Sequence, residues 1–312
     1  MWWQVQSRNK RSVALDLKDA ASRDVVRALV READVLVENF KPGVMEDWGL
    51  GFDELSATNP GLIMLRISGY GQTGPYRDRP GFGVVAMAML QGHQDADHAV
   101  QRGHASVSLH APKGRGQVVD VALYEAVFNC MESLLPEYSA FGMVREAAGS
   151  ALPGIAPSNA YACEDGWVLV AGNGDSIFKR LMAAIGRTDL GQDPALGGNT
   201  GRVARVEQID AAIGAWTATR RVGDVLQTLN AAGVPAGRIY TARDISEDPH
   251  YRARGMIQRV TTAEGLALDV PGIVPKLSLT PGAITRRAPT LGEDTAAVLS
   301  ALGAALPLPP SS

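Results

Sequence analysis

The spacing of apolar segments in residues 11–68 constrains the fold more than any other feature. Residues 11–17 (RSVALDL) alternate in polarity, which predicts a strand. Asp19 is placed to cap a helix over about residues 20–32, with Val25, Val26, Leu29 and Val30 on its buried side. Residues 34–40 (DVLVENF) predict a second strand, ended by Lys41-Pro42-Gly43. An amphipathic stretch over residues 44–55 follows, broken at Asn59-Pro60-Gly61. Residues 62–68 (LIMLRIS) are almost continuously apolar, as in a strand covered on both faces. Strands alternating with helical connections at this spacing predict a parallel sheet with right-handed crossovers. The N-terminal part therefore reads as α/β.

Beyond this layer, residues 69–83 are rich in turn signals, and residues 120–141 carry apolar positions at helical spacing that predict one long helix. The texture changes at Gly149, where GSALPGIAPSNAYACEDGW reads as a linker leading into a strand at 167–171. Helices are predicted over 175–186, 203–217 and 222–232, with short strands near 238–240, 256–260 and 267–270. A last helix is predicted near 294–302, before an LPLPPSS tail. The expected organisation is a large α/β domain over 1–149, a smaller α+β domain over 150–265, and a segment, 266–312, returning to the large domain. The length of 312 residues suits two domains at roughly 150 residues each.

Composition narrows the function classes. Thirty Lys+Arg against 33 Asp+Glu leave a net charge of −3, which provides no field for a polyanion, so nucleic acid is not an expected partner. Two cysteines cannot build a disulfide framework and match no zinc spacing. No apolar run reaches the roughly 18 residues of a membrane span. The opening MWWQVQSRNKRSVALDL contains no apolar signal core. The expectation is a cytoplasmic enzyme acting on small molecules.

Residues 69–74 (GYGQTG) match G-x-G-x-x-G after a strand, but PYRDRPG follows and cannot open the helix that a dinucleotide pyrophosphate needs. No acidic residue stands about 20 positions later to hold a ribose, so an NAD site is disfavoured. His93, His98, His104 and His110 are too widely spaced for one helix face, and no metal site is expected. There is no G-x-S-x-G elbow, and neither Cys130 nor Cys163 has a basic neighbour to activate it. Lys18 and Lys41 close adjacent predicted strands, the edge where ligands of parallel sheets collect. Together they suit a phosphorylated ligand, with Phe40 against a flat ring, as readily as they suit solvated surface charge.

Longer blocks carry a resemblance. NKRSVALDLKDA (9–20), ADVLVENFKPGVMEDWGLGFDEL (33–55), NPGLIMLRISGYGQTGPYRDRPGFG (59–83) and GRGQVVDVALYEA (114–126) resemble the family III CoA-transferases, which include formyl-CoA and carnitine CoA-transferases. So do GWVLVAGN (166–173), AAGVPAGRIYTARDISEDPH (231–250) and APTLGEDTAAVLSALG (288–303). The resemblance implies a Rossmann-like large domain, a smaller domain and an interlocked homodimer. It implies transfer of coenzyme A from an acyl-CoA such as succinyl-CoA to a small carboxylic or dicarboxylic acid. The CoA thioester is then a substrate, and no permanently bound cofactor is expected. Leu15, Asp16, Leu17, Lys18, Asn39, Phe40 and Lys41 match the CoA-contacting stretches; Asp47 stands at a nearby position that is often basic in the family.

The resemblance also implies an aspartate nucleophile passing through an aspartyl intermediate. The family carries it in a G-x-x-x-x-D-x-x-x-G stretch between the blocks ending at Gly83 and starting at Gly114. This chain reads VVAMAMLQGHQDADHAVQRGHASVSLHAPK there, and Asp95 and Asp97 are its only carboxylates. They are the candidate nucleophiles, while Asp120 matches a different family position. The family pattern also starts before residue 1. The expectation is a chain shortened at the front and internally deleted, with 84–113 read out of frame, which sequencing the locus would test. The related α-methylacyl-CoA racemases use a His-Asp pair where Phe82-Gly83 stand, so no base for racemisation is evident. The other alternative is an inactive CoA-binding remnant of the family.

Overall fold

The structure is a computed structural model that describes residues 1–80, 115–129, 131, 133–146 and 149–303. The chain divides into two compact units, one of Met1–Met143 with Met256–Ser312, the other of Val144–Gly255.

In the first unit, Asp19 caps the helix Ala20–Val30, its side chain accepting the Ser22 N–H, and the helix buries Val25 and Val30. Strands β1 (Val35–Glu38), β2 (Ile63–Ser68) and β3 (Val118–Ala122) form a parallel sheet in the order β1-β2-β3. Every residue of β2 is buried, as its apolar run predicts. Val30, Met45, Leu50, Leu55, Leu62 and Met64 form the core beside it, joined by Trp48 and Phe52. The Asn59 carboxamide donates to Val30 O and Ala33 O, both at 2.9 Å, tying the helix end to the turn that opens β2. Gly116 is required by close approach, since a Cβ there would lie 1.6 Å from Leu62 O. A hairpin of β7 (Ile257–Thr261) and β8 (Ala267–Pro271) and the helix Thr295–Ala301 also belong to this unit.

Two expectations fail here. Residues 11–16 form no strand, residue 17 begins a turn, and the segment joins no sheet among the described residues. Ser12 N donates to Asp294 Oδ2 and Ala14 N to Thr295 Oγ1, both at 2.9 Å, so side chains of the C-terminal segment take the bonds a neighbouring strand would supply. Residues 120–141 are not one helix. The β-branched run Val118–Ala122 stays in the sheet, and the helices Leu123–Asn129 and Leu134–Phe141 follow separately.

In the second unit, β4 (Ser158–Cys163), β5 (Gly166–Ala171) and β6 (Ala236–Arg238) form an antiparallel sheet in that order. The helices Asp175–Ala184, Val206–Thr217 and Val222–Ala231 place Phe178, Leu181, Met182, Ile209, Ile213, Val225 and Leu229 against Tyr161, Val168 and Val170. The three helices lie close to their predicted spans, with a separate helix, Asn199–Ala204, where the second was expected to start. β4 corrects the expected linker, and it exists because it pairs with β5 through the turn at Glu164 and Asp165. The whole is α/β with a smaller α+β unit.

Candidate active site

Because β1, β2 and β3 are parallel, their carboxyl ends, Glu38, Ser68 and Ala122, share one edge. This is the edge at which open α/β sheets bind ligands. The register places Glu38 beside Arg66 and Arg66 beside Asp120, a charged row across the last turns of the three strands.

Glu38 and Arg66 are both buried, and Arg66 Nε donates to Glu38 Oε1 at 2.8 Å. The remaining guanidinium nitrogens, Nη1 and Nη2, donate to Glu46 at 2.5 and 3.1 Å, a forked pair. Burial opposes the Arg66 charge most strongly, but hydrogen bonds to Glu46 and Glu38 outweigh it and raise its pKa. The hydrogen bond from Arg66 is the largest influence on Glu46 and holds that carboxyl below its ordinary range. The second Glu38 oxygen accepts Phe40 N–H at 2.7 Å, and Asn39 Nδ2 donates to Ile67 O at 2.6 Å. The Phe40 ring stands edge-on to Trp48, 5.1 Å between centroids at 78°. Asn39, Phe40 and Lys41 are thereby held by their backbone and neighbours while all three stay exposed.

The neighbouring loop is fixed in a similar way. Gly71 takes φ +88° and its N–H donates to Ser68 Oγ at 2.9 Å, while Gln72 N–H donates to Asp120 Oδ2 at 2.9 Å. Asp120 thus anchors this loop. Tyr70 lies 6.0 Å from the Tyr76 ring and 6.2 Å from Tyr124, and the Arg79 guanidinium stacks 3.8 Å above Tyr76. Gln72 Nε2 is buried without a partner among the described residues. No helix follows the glycines within the described residues 75–80, as the poor fit to a dinucleotide motif requires.

Leu15, Asp16, Leu17 and Lys18 form the turn before the helix Ala20–Val30. Lys18 N donates to Asp16 Oδ1 at 2.9 Å, and Arg23 Nη1 donates to Leu17 O and Lys18 O at 3.0 and 2.8 Å. That helix ends at the sheet's amino edge, where Asn59 holds it, so its start lies toward the carboxyl edge. Among the described residues no hydrogen bond or ring contact joins this turn to Asn39–Lys41. The candidate nucleophiles Asp95 and Asp97 lie outside the described residues, as do His93, His98, His104, His110 and Cys130. Burial pushes the Cys163 thiol up, which suits packing rather than catalysis. Among the described residues no cluster of three or more His, Cys, Asp or Glu could hold a metal, and no helix is long and apolar enough to cross a membrane.

Sequence reasoning missed the Glu38–Arg66–Glu46 and Asp120–Gln72 anchors. The available signal was one charge in each of three strands that are apolar apart from Ser68, VLVE, IMLRIS and VVDVA.

Comparisons with known proteins point to one family. A profile of CoA-transferase family III matches residues 1–96 and 98–295, dividing at Asp97. The succinyl-CoA--D-citramalate CoA-transferase of Chloroflexus aurantiacus is 41% identical over 94% of this chain and 78% of its own length. The beta subunit of the succinyl-CoA--L-malate CoA-transferase of the same organism is 38% identical over 95% of this chain and 79% of that protein. The crystal structure of a CAIB/BAIF family protein from Brucella suis superposes with a TM-score of 0.78 at 31% identity, covering 96% of this chain and 84% of the other. The matches extend through both units, and this chain is an enzyme of the transferase type that belongs to the family III CoA-transferases.

Proposed function

We propose that the chain moves coenzyme A between an acyl-CoA, with succinyl-CoA as the donor, and a small carboxylic or dicarboxylic acid. The observation that carries this reading is the carboxyl edge of the parallel sheet, where a rigid Asn39-Phe40-Lys41 lip presents a flat ring and a cation beside the glycine loop. The names of the two Chloroflexus relatives, a citramalate and a malate transferase using succinyl-CoA, support the donor and a dicarboxylic acceptor. In this reading Lys18 and Lys41 hold phosphates, Phe40 covers the adenine, and Leu15–Leu17 line the same edge.

The chemistry runs through an aspartate, Asp95 or Asp97. Its carboxylate attacks the thioester carbonyl and expels the CoA thiolate, leaving an acyl–aspartyl anhydride. The thiolate then attacks the aspartyl carbonyl, releasing the donor acid and leaving an aspartyl-CoA thioester. An acceptor carboxylate reverses both steps and leaves as the new acyl-CoA. The anhydride must be shielded from water, a task for the glycine loop over residues 69–74.

The proposed assembly is a cytoplasmic homodimer of large and small domains divided at residues 149 and 265. The exposed Leu135, Tyr138 and Phe141 on the helix Leu134–Phe141 support a partner surface there. The test is incubation with succinyl-CoA and D-citramalate, L-malate or glutarate, followed by chromatography of the CoA esters. A new acyl-CoA formed in step with succinate release is expected. Its absence from folded, CoA-binding protein would favour an inactive CoA-binding remnant instead.

A further inference from the structure

The buried ion pair under the Asn39–Lys41 lip needs an explanation other than stability. Replacing a buried pair by apolar side chains of similar volume is commonly neutral or stabilising, because both charges must be stripped of water. Glu38 and Arg66 sit beside each other in register at the end of the sheet, and every other residue of β2 apart from Ser68 is apolar. An apolar pair there would satisfy the core.

What an apolar pair would lack is a fixed acceptor. Glu38 splits its two oxygens, one to Arg66 Nε at 2.8 Å and the other to the backbone N–H of Phe40 at 2.7 Å. Arg66 is in turn held by the forked pair with Glu46. The carboxylate is therefore immobilised from one side and orients the lip from the other. Asn39 adds a second point through Ile67 O, so the exposed Phe40 and Lys41 extend from a backbone held at consecutive residues.

We infer that Glu38, locked by Arg66, is a positioning residue for acyl-CoA binding: it pre-orders the Asn39–Lys41 lip without touching the ligand. This rests on the CoA reading above. Pre-ordering a binding segment raises affinity because the ordering entropy is not lost on association.

The experiment measures CoA affinity by calorimetry on the full chain, with amide hydrogen exchange at Phe40 and Lys41 in the same proteins. Two variants perturb the anchor, Glu38→Gln and the paired apolar replacement Glu38→Leu with Arg66→Met, the latter chosen to keep the fold. A third, Val30→Ala, loosens the core at the far end of the helix Ala20–Val30 and serves as the structural control. Both anchor variants are expected to weaken CoA binding about tenfold and lose exchange protection at Phe40, while Val30→Ala binds CoA within about twofold of wild type despite a lower Tm. In turnover the same loss should appear in KM for the acyl-CoA with kcat little changed. Unchanged CoA affinity in a folded anchor variant, or an equal loss in Val30→Ala, would overturn the inference alone. A wild-type chain that binds no CoA, with an intact lip, would instead overturn the CoA reading beneath it.

Discussion

Removing the Phe40 ring tests the lip most simply. About 40% of Phe40 is exposed, and its only described ring partner is Trp48, edge-on at 5.1 Å, so Phe40→Ala opens no core cavity. The folding cost is confined to the aromatic pair, about 0.5–1.5 kcal/mol. The binding cost should be larger, because stacking of a base on an aromatic side chain is worth about 1–3 kcal/mol by alanine substitution. At 1.4 kcal/mol per tenfold change, CoA should bind about 5- to 150-fold more weakly. Phe40→Trp, which keeps the flat surface, should stay within about threefold of wild type. Calorimetry with CoA and with 4′-phosphopantetheine, which lacks the adenine, separates stacking from general damage. The loss should be confined to CoA. Wild-type affinity in Phe40→Ala, or an equal loss for phosphopantetheine, would refute the stacking argument.

Two further predictions concern bonds inside each unit taken by itself. Arg202 is fully buried and donates to Ala156 O, Leu196 O, Asn173 O and Asp175 Oδ1 with its guanidinium 5.1 Å from the Phe178 ring centroid, so Arg202→Met should destabilise the second unit by about 3–5 kcal/mol. Urea-dependent amide exchange at Phe178 and Ile209 measures this, and a change below about 1 kcal/mol would contradict it. Glu293 is held at about 2, first by hydrogen bonds from Arg287 and then by Thr290 N–H, and Asp294 is held low first by Ser12 N–H and then by Arg286. A depressed carboxylate stabilises above its unfolded pKa, 4.5 for Glu293 and 3.8 for Asp294, and loses that contribution as pH falls below it, so protection of the Ser12 amide, whose N–H Asp294 accepts, should decline as pH drops below about 3.8. A flat profile, or the same decline in Asp294→Asn, would count against this linkage.

The legible parts of the fold were those whose signal is local. The apolar run of β2 and the helical periods of Asp175–Ala184 and Val222–Ala231 are set by burial of one face, which a sequence records directly. β4 was missed because SNAYAC buries only Tyr161; its strand character comes from pairing with β5, which no alternation announces. Residues 11–17 alternate like a strand, yet their partners are Gly292, Asp294 and Thr295, far along the chain. At the site, Asn39, Phe40 and Lys41 were legible as the end of a strand. Glu38 and Arg66 were visible as isolated charges, but their pairing depends on a register across 28 residues that only the folded sheet supplies. Asp120 accepts the Gln72 N–H, a contact across 48 residues that the sequence does not announce.

The central claim is transfer of CoA through an enzyme-bound acyl intermediate, and isotope exchange tests it without knowledge of the acceptor acid. The chain is mixed with unlabelled succinyl-CoA and labelled succinate, with no second acid present. A double-displacement route predicts label entering succinyl-CoA, since each release of succinate is reversible, together with an enzyme thioester sensitive to hydroxylamine. Substituting the reacting aspartate, Asp95→Asn or Asp97→Asn, should abolish both. Folded protein that binds CoA but incorporates no label and forms no thioester would contradict the account.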